Sequence, residues 1–306
     1  MDPARLCQET ITRDLIAEMC DWKPRRMSLA EYNLARGDKV HVGLNKPRKD
    51  GDDWNLAFPF KDSFVPAFEC AFEIQNIGFR QKEGVNLVYT FLKNVADEDI
   101  EDLSKWLGDI DKAVAIRDCL ALSFAMDYER EYGNPDNDQT ETGALRASAK
   151  TYGGLRPTDT SMRAADNLAS RLAGFIRDIR AYNYSQCVVA VPPSSLSKPF
   201  DLPTHLAKTV AAELQWADLS SAVRTVKERP QLKNLPVGEK LEALDGTVKV
   251  ESEAVKGRVV TLIDDLYQSG VTMNYVAMKL QKAGARAILG LACEKTLRND
   301  DNVQDE

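Results

Sequence analysis

Three short runs in the second half of the chain, Cys187–Val191, Val259–Ile263 and Ala287–Ala292, are almost continuously apolar. A strand wetted on one face alternates apolar and polar residues, whereas a near-continuous run marks a strand covered on both faces. The segments between them have the period of helices instead. Ala164–Arg180 places Leu168, Leu172, Phe175 and Ile179 on one side, Leu206–Leu214 repeats the pattern, and Asn274–Ala283 ends at Gly284. Strand, helix and strand in this order specify an α/β architecture, a parallel sheet flanked by helices and joined by right-handed crossovers.

The first half reads differently. Asp2-Pro3 has the form of a cap followed by a first-turn proline, with Cys7, Ile11, Leu15 and Met19 on one helical face. Trp22–Pro66 is rich in turn residues and reads as loop. Phe68–Ile74 and Val85–Leu92 read as strands, and Asp99–Tyr132 as helix through Ile100, Leu103, Leu107, Ile110 and Val114. The polar run Gly133–Gln139 separates the two patterns. It lacks the glycine a calcium loop needs at its sixth position, where Glu141 stands if Asp136 is first, so it reads as a connector. The expected organisation is a mixed, helix-rich region over 1–140, an α/β domain over 141–299 and an acidic tail over 300–306.

Bulk properties exclude several classes. A net charge of −7 provides no broad basic field for nucleic acid, although it leaves room for one cationic cleft. The six cysteines have no C-x-x-C pairing and the histidines number two, so a Cys/His metal cluster is not expected and the thiols read as reduced. No apolar stretch is long enough to span a bilayer, and the charged start MDPARLCQET lacks the core of a signal peptide, so the expected location is cytoplasmic. His205, beside Leu206 on a helical segment, reads as structural.

Chemistry concentrates in Arg258–Thr272, R-V-V-T-L-I-D-D-L-Y-Q-S-G-V-T. Asp264 and Asp265 leave the carboxyl end of a buried strand, where ligands of open α/β sheets gather. The loop Gln268, Ser269, Gly270, Val271 and Thr272 then enters a helix. Backbone N–H groups and hydroxyls at such a helix start suit a phosphate, while carboxylates accept hydrogen bonds from a ribose diol. One strand-loop-helix unit thus grips both ends of a phosphorylated sugar. A strand that merely ends in a capped helix is the plainer alternative. Neither G-x-x-x-x-G-K-[ST] nor G-x-G-x-x-G occurs.

The run Val259–Thr272 resembles the phosphoribosyl pyrophosphate (PRPP) motif of type I phosphoribosyltransferases, with Gln268 and Ser269 in place of two threonines and Gly270 and Thr272 kept. From about Leu145 onward the likeness points to the ComF-like branch. Val191-Pro192-Pro193-Ser194 resembles its segment after the first strand, and Lys198-Pro199-Phe200-Asp201 its Arg-Gly-Phe-Asn. Arg224, Pro230-Gln231 and Leu235 resemble its mobile loop. Lys198 and Lys240 stand where arginines are usual, which keeps the charge and loses the bidentate fork. Ala243 replaces an asparagine, and the branch's N-terminal zinc cysteines are absent.

The resemblance implies a type I phosphoribosyltransferase fold in which pyrophosphate leaves C1 of PRPP for a nitrogenous acceptor. It assigns Asp264 and Asp265 to the ribose, Gln268 to Thr272 to the 5′-phosphate, and Pro193, Ser194, Ser195 and Lys198 to pyrophosphate. Arg224, Lys227, Arg229 and Gln231 fall on the loop that closes over PRPP, although a solvated surface charge is an equal reading of each cation. The implied cofactor is Mg²⁺, held mainly through PRPP and by Asp264 or Asp265 through water. The alternatives are a non-catalytic PRPP or nucleotide sensor, or a subunit of a larger assembly that docks on a like or unlike chain through 1–140. The acceptor has no sequence signature.

Overall fold

The computed structural model describes residues 6, 8–20, 37–39, 48–50, 53–72, 78–81, 87–111, 113–131, 138–151, 155–230, 232–233 and 235–297. The first half contains α1 (Arg13–Cys20), β1 (Gly37–Lys39), β2 (Arg48–Asp50), β3 (Asp53–Lys61), α2 (Val65–Ala71), β4 (Gly78–Gln81), β5 (Leu87–Val95), α3 (Asp97–Ile110), β6 (Val114–Ile116) and β7 (Leu122–Tyr128). There follow α4 (Glu141–Ala149), α5 (Asp159–Asp178), β8 (Cys187–Ala190), α6 (Leu202–Leu214), β9 (Ala217–Asp218) and β10 (Val223–Thr225). The chain then forms α7 (Val237–Leu244), β11 (Val248–Val250), α8 (Ser252–Val255), β12 (Val259–Tyr267), α9 (Val271–Lys282) and β13 (Ala287–Lys295).

The main sheet has seven strands in the order β1-β6-β7-β13-β12-β8-β9. From β7 to β9 every pairing is parallel; β1 and β6 add an antiparallel edge. Three of these strands, β1, β6 and β7, come from the chain before residue 140. A separate four-stranded antiparallel sheet, β2-β3-β5-β4, also belongs to that first half.

Both faces of the sheet are largely dry across its central strands β7, β13, β12 and β8, and successive residues there go to opposite cores. Val188, Ala190, Val259, Ile263, Leu289 and Leu291 share one core with Leu168, Leu172 and Ile176 of α5 and Leu206 and Val210 of α6. Cys187, Val189, Val260, Leu262, Ile288 and Ala292 share the other with Val276 and Leu280 of α9, Leu241 and Leu244 of α7 and Ile16 of α1. This explains the lack of alternation in the sequence. An aromatic cluster of Phe64, Phe68, Phe72 and Trp106 extends the first core, with Trp106 edge-on to Phe68 and Phe72 at 5.5 Å.

The three C-terminal strands and their helices lie where the periodicity placed them, with β12 and β13 running several residues longer toward their carboxyl ends. The first half departs from expectation. Residues 68–71 belong to helix α2, where Pro66 sits in the first turn and Phe68 and Cys70 face inward, so the expected strand is absent there. The expected helix over 99–132 stops at Ile110; Val114–Ile116 and Leu122–Tyr128 are strands buried on both faces, a setting in which period alone does not separate strand from helix. The stretch read as loop contains β1, β2 and β3, and the first helix starts only at Arg13. Cys7, Gly133–Asn137 and the acidic tail lie outside the described residues.

No helix among the described residues is long and apolar enough to cross a membrane. Cys20, Cys70, Cys119, Cys187 and Cys293 are buried.

Candidate functional site

Strands β8 and β12 are neighbours, yet the chain leaves them in opposite directions, from β8 out to β9 and from β12 to β13. Such a switch point opens a crevice at the carboxyl ends of the strands. A cavity of about 260 Å³ occupies it here. The Ile263–Ala190 pairing and the 2.8 Å bond from Val191 N–H to the Ile263 carbonyl bring the two strand ends level, so Pro192-Pro193-Ser194 and Asp264-Asp265 both line the cavity.

The phosphate-type loop follows directly. Gln268, Ser269, Gly270 and Thr272 line the cavity, while Val271 is buried as the first residue of α9. Gly270 caps the helix with φ +81°, a conformation glycine adopts without a steric cost. The first N–H groups of a helix have no partner within it, so this end of α9 presents donors and a positive dipole to the cavity. Asn274 braces the loop from below: its Nδ2 donates to the Gly270 carbonyl at 2.8 Å and to the Tyr267 hydroxyl at 3.2 Å.

The two acids are in different environments. The Asp265 N–H donates to Asp264 Oδ1 at 2.8 Å, and Asp265 Oδ2 faces Arg146 Nη1 at 3.4 Å. Burial pushes the Asp264 carboxyl well above the ordinary carboxylate range, and the negative charge of Asp265 pushes the same way. Behind them on β13, Glu294 is buried and its carboxyl is raised to about 7, chiefly by burial and against the pull of Arg146.

Cations gather around the same cavity. Lys150, Lys198, Arg229, Lys233 and Lys240 all line the cavity, a local basic pocket in an acidic chain. Lys198 Nζ lies 3.2 Å from Asp201. Arg229 is tied down by its N–H to the Ser194 carbonyl at 3.1 Å and by Nη2 to the Pro192 carbonyl at 2.8 Å. Its Nε and Nη1 are buried with no hydrogen-bond partner among the described residues, and burial lowers its pKa despite the nearby Asp264 and Asp201.

Most of the residues singled out in the sequence come together here: Asp264, Asp265, Gln268, Ser269, Gly270, Thr272, Pro193, Ser194, Lys198 and Arg229 share one cavity. Ser195 and Arg224 line a neighbouring depression instead, with Ser195 Oγ donating to Glu228 at 2.9 Å and Arg224 paired with Glu251 at 3.3 Å. Lys227 is exposed, and Gln231 lies outside the described residues. His205 Nε2 donates to the Asp166 carboxylate at 2.8 Å and packs near the ring of Phe200, outside the cavity lining. The sequence reading did not single out Lys150, Thr151 and Lys233 on the cavity wall, nor Arg146 and Asp118 behind it.

No family model and no curated protein matches the sequence. Among solved structures, the glutamine phosphoribosylpyrophosphate amidotransferase from B. subtilis, complexed with ADP and GMP, is similar over 78% of this chain at 12% identity and a TM-score of 0.31. This chain spans 46% of that enzyme's length.

The donor set suits a hard divalent cation. Adjacent carboxylates are the oxygen ligands Mg²⁺ prefers, and only Asp265 of the two is engaged by Arg146. Burial raises Asp264 first; the part of the rise that comes from the charge of Asp265 is offset by a cation beside the two acids.

Proposed function

We propose that the cavity binds a 5′-phosphorylated ribose, with PRPP as the full ligand, and that the protein transfers phosphoribose to or from a nitrogenous acceptor with exchange of pyrophosphate. The observation that carries this reading is the sharing of one cavity by the Asp264-Asp265 pair, the Gln268–Thr272 loop and a set of lysines with Arg229. Paired acids alone suit many ligands. Acids beside the start of a helix, with several cations lining the same cavity, match a sugar with an anionic group at each end.

In this reading the Thr272 hydroxyl and the first N–H groups of α9 hold the 5′-phosphate. Asp264 and Asp265 accept from the ribose hydroxyls and favour the positive charge that develops on the ring as pyrophosphate departs. Lys198, Arg229 and the backbone of Pro193-Ser194 take up the negative charge on the leaving group, a preorganised form of stabilisation. Asp264 and Asp265 would also hold Mg²⁺, whose chemistry is to neutralise the diphosphate. Arg229, anchored to Pro192 and Ser194, closes one side of the cavity and limits the access of water.

Calorimetric titration with PRPP, with and without Mg²⁺, tests the reading when pyrophosphate is assayed in the same samples. Binding followed by pyrophosphate release on addition of an acceptor supports a transferase. Absence of PRPP binding in both conditions rejects the reading.

A non-catalytic PRPP sensor is the second reading, favoured by Lys198 and Lys240 in place of arginines and by Ala243 in place of an asparagine. Tight PRPP binding with no pyrophosphate release across a panel of nitrogenous acceptors supports it.

A further inference from the structure

Helix α4 is clamped onto the end of β7 before it reaches the site. Thr140 caps the helix, accepting from the Gly143 N–H at 3.0 Å, and its hydroxyl donates to the Tyr128 carbonyl at 2.6 Å. The Thr140 N–H donates to the Glu129 carbonyl at 3.2 Å, and the Glu129 N–H to the Lys295 carbonyl at 2.8 Å. Gly143 packs directly on the Glu129 carbonyl, where an added methyl group collides with the oxygen. This clamp fixes the direction of Arg146, one turn further on.

Arg146 is 7% exposed and does not line the cavity. Its guanidinium meets three carboxylates, on β13, on β12 and just past the end of β7: Nε donates to Glu294 Oε1, Nη1 lies 3.4 Å from Asp265 Oδ2, and Nη2 lies 3.7 Å from Glu129 Oε1. A planar fork with donors on several edges serves three acceptors in fixed directions, which a lysine ammonium on a flexible stem does not.

We infer that Arg146 is a positioning residue: by holding Asp265 Oδ2 from behind the site, it turns Asp265 Oδ1 toward the ligand and fixes the carboxylate that receives the ribose hydroxyl. This rests on the ribose reading of the cavity. The competing role is structural, with Arg146 present only to pair the buried Glu294, whose Oε2 has no hydrogen-bond partner among the described residues.

The two roles separate by ligand. The wild-type chain is titrated with ribose 5-phosphate and with inorganic phosphate, and so are R146K, the R146M/E294Q pair, E294Q, D265N, and D265N combined with R146M/E294Q. Removing Arg146 and the Glu294 charge together avoids leaving a buried carboxylate without its cation, so this pair is expected to fold. Positioning predicts that R146M/E294Q binds ribose 5-phosphate roughly tenfold or more weakly, the scale of a lost charge-assisted hydrogen bond. Inorganic phosphate affinity stays at the wild-type value, E294Q alone binds as wild type, and R146K fails to restore the loss. Adding D265N costs little further, because both changes remove the same interaction.

Wild-type affinity for ribose 5-phosphate in R146M/E294Q overturns the inference, as do equal losses for both ligands or losses that multiply with D265N. A wild-type chain that binds phosphate and ribose 5-phosphate equally well instead rejects the ribose reading, and the inference falls with it.

Discussion

The Tyr267 hydroxyl occupies the space that a side chain on Gly270 would take. It donates to Asp118 Oδ2 at 3.0 Å and accepts from Asn274 Nδ2 at 3.2 Å. Asp118 in turn accepts from Ser123 Oγ on β7 at 3.0 Å. The loop assigned to the 5′-phosphate is therefore built on a polar network whose far end lies between β6 and β7, in the first half of the chain. Gly270 is required twice, by its positive φ and by the tyrosine beneath it.

Gly270→Ala is expected to strain this loop by about 1–3 kcal/mol, the usual cost of a residue forced into a sparsely populated conformation. Ribose 5-phosphate affinity should fall at least tenfold, with a modest drop in melting temperature. An unchanged affinity for both ribose 5-phosphate and phosphate in a folded G270A chain removes the loop from the ligand site.

Asp264→Asn should separate stability from binding. A carboxyl whose folded pKa lies above its unfolded value contributes stability that is present at low pH and lost as pH rises through the folded value. Burial and Asp265 raise Asp264 in this way, so at neutral pH the titratable carboxyl leaves the fold less stable than a neutral isostere there would. Replacing it by the neutral isostere should raise the melting temperature at pH 7.5 and abolish PRPP binding, as should the D264N/D265N pair for binding. A destabilised D264N chain contradicts the assigned environment, and full affinity in the double variant removes the ribose role.

Arg229→Met should discriminate between ligands by their anionic groups. Two of its N–H donors are buried without partners among the described residues, and an anion in the cavity that satisfied them would gain about 1.5–3 kcal/mol, typical of hydrogen bonds to charged groups. PRPP affinity is expected to fall about 10- to 100-fold on this scale, while ribose 5-phosphate, which lacks the diphosphate, loses less. Parallel isothermal titrations check this, and equal losses for the two ligands would place Arg229 at the 5′-phosphate instead.

The legible part of the sequence was the part whose chemistry is local. A buried strand, two acids, a glycine and a helix start occupy consecutive positions from Val259 to Thr272, and each reports its role through its neighbours. Arg146 and Asp118 reach the same site across 119 and 149 residues of sequence separation, through contacts that no periodicity encodes. The first half misled for another reason. Val114–Ile116 and Leu122–Phe124 are dry on both faces, so they lack the alternation that marks a strand, and the preceding helical period runs on into them without a break. In α2, Pro66 and an inward Phe68 and Cys70 outweigh the strand propensity of the aromatics around them.

Glu294 should set a pH dependence of stability near neutrality. Its carboxyl rises from an ordinary 4.5 to about 7, with Arg146 and the acids Asp265 and Glu129 around it. The folded chain therefore binds a proton that the unfolded chain has released, and the associated stability is full below pH 4.5 and lost as pH climbs through about 7. At about 1.36 kcal/mol per pH unit the interval amounts to roughly 3 kcal/mol. Glu294→Gln keeps an amide oxygen for Arg146 Nε and removes the titration. Urea melts between pH 5 and 8 should show wild-type stability falling with pH more steeply than that of E294Q. Coincident slopes for the two chains would show that Glu294 stays ionised in the fold, and that Arg146 neutralises it more fully than its division among three carboxylates implies.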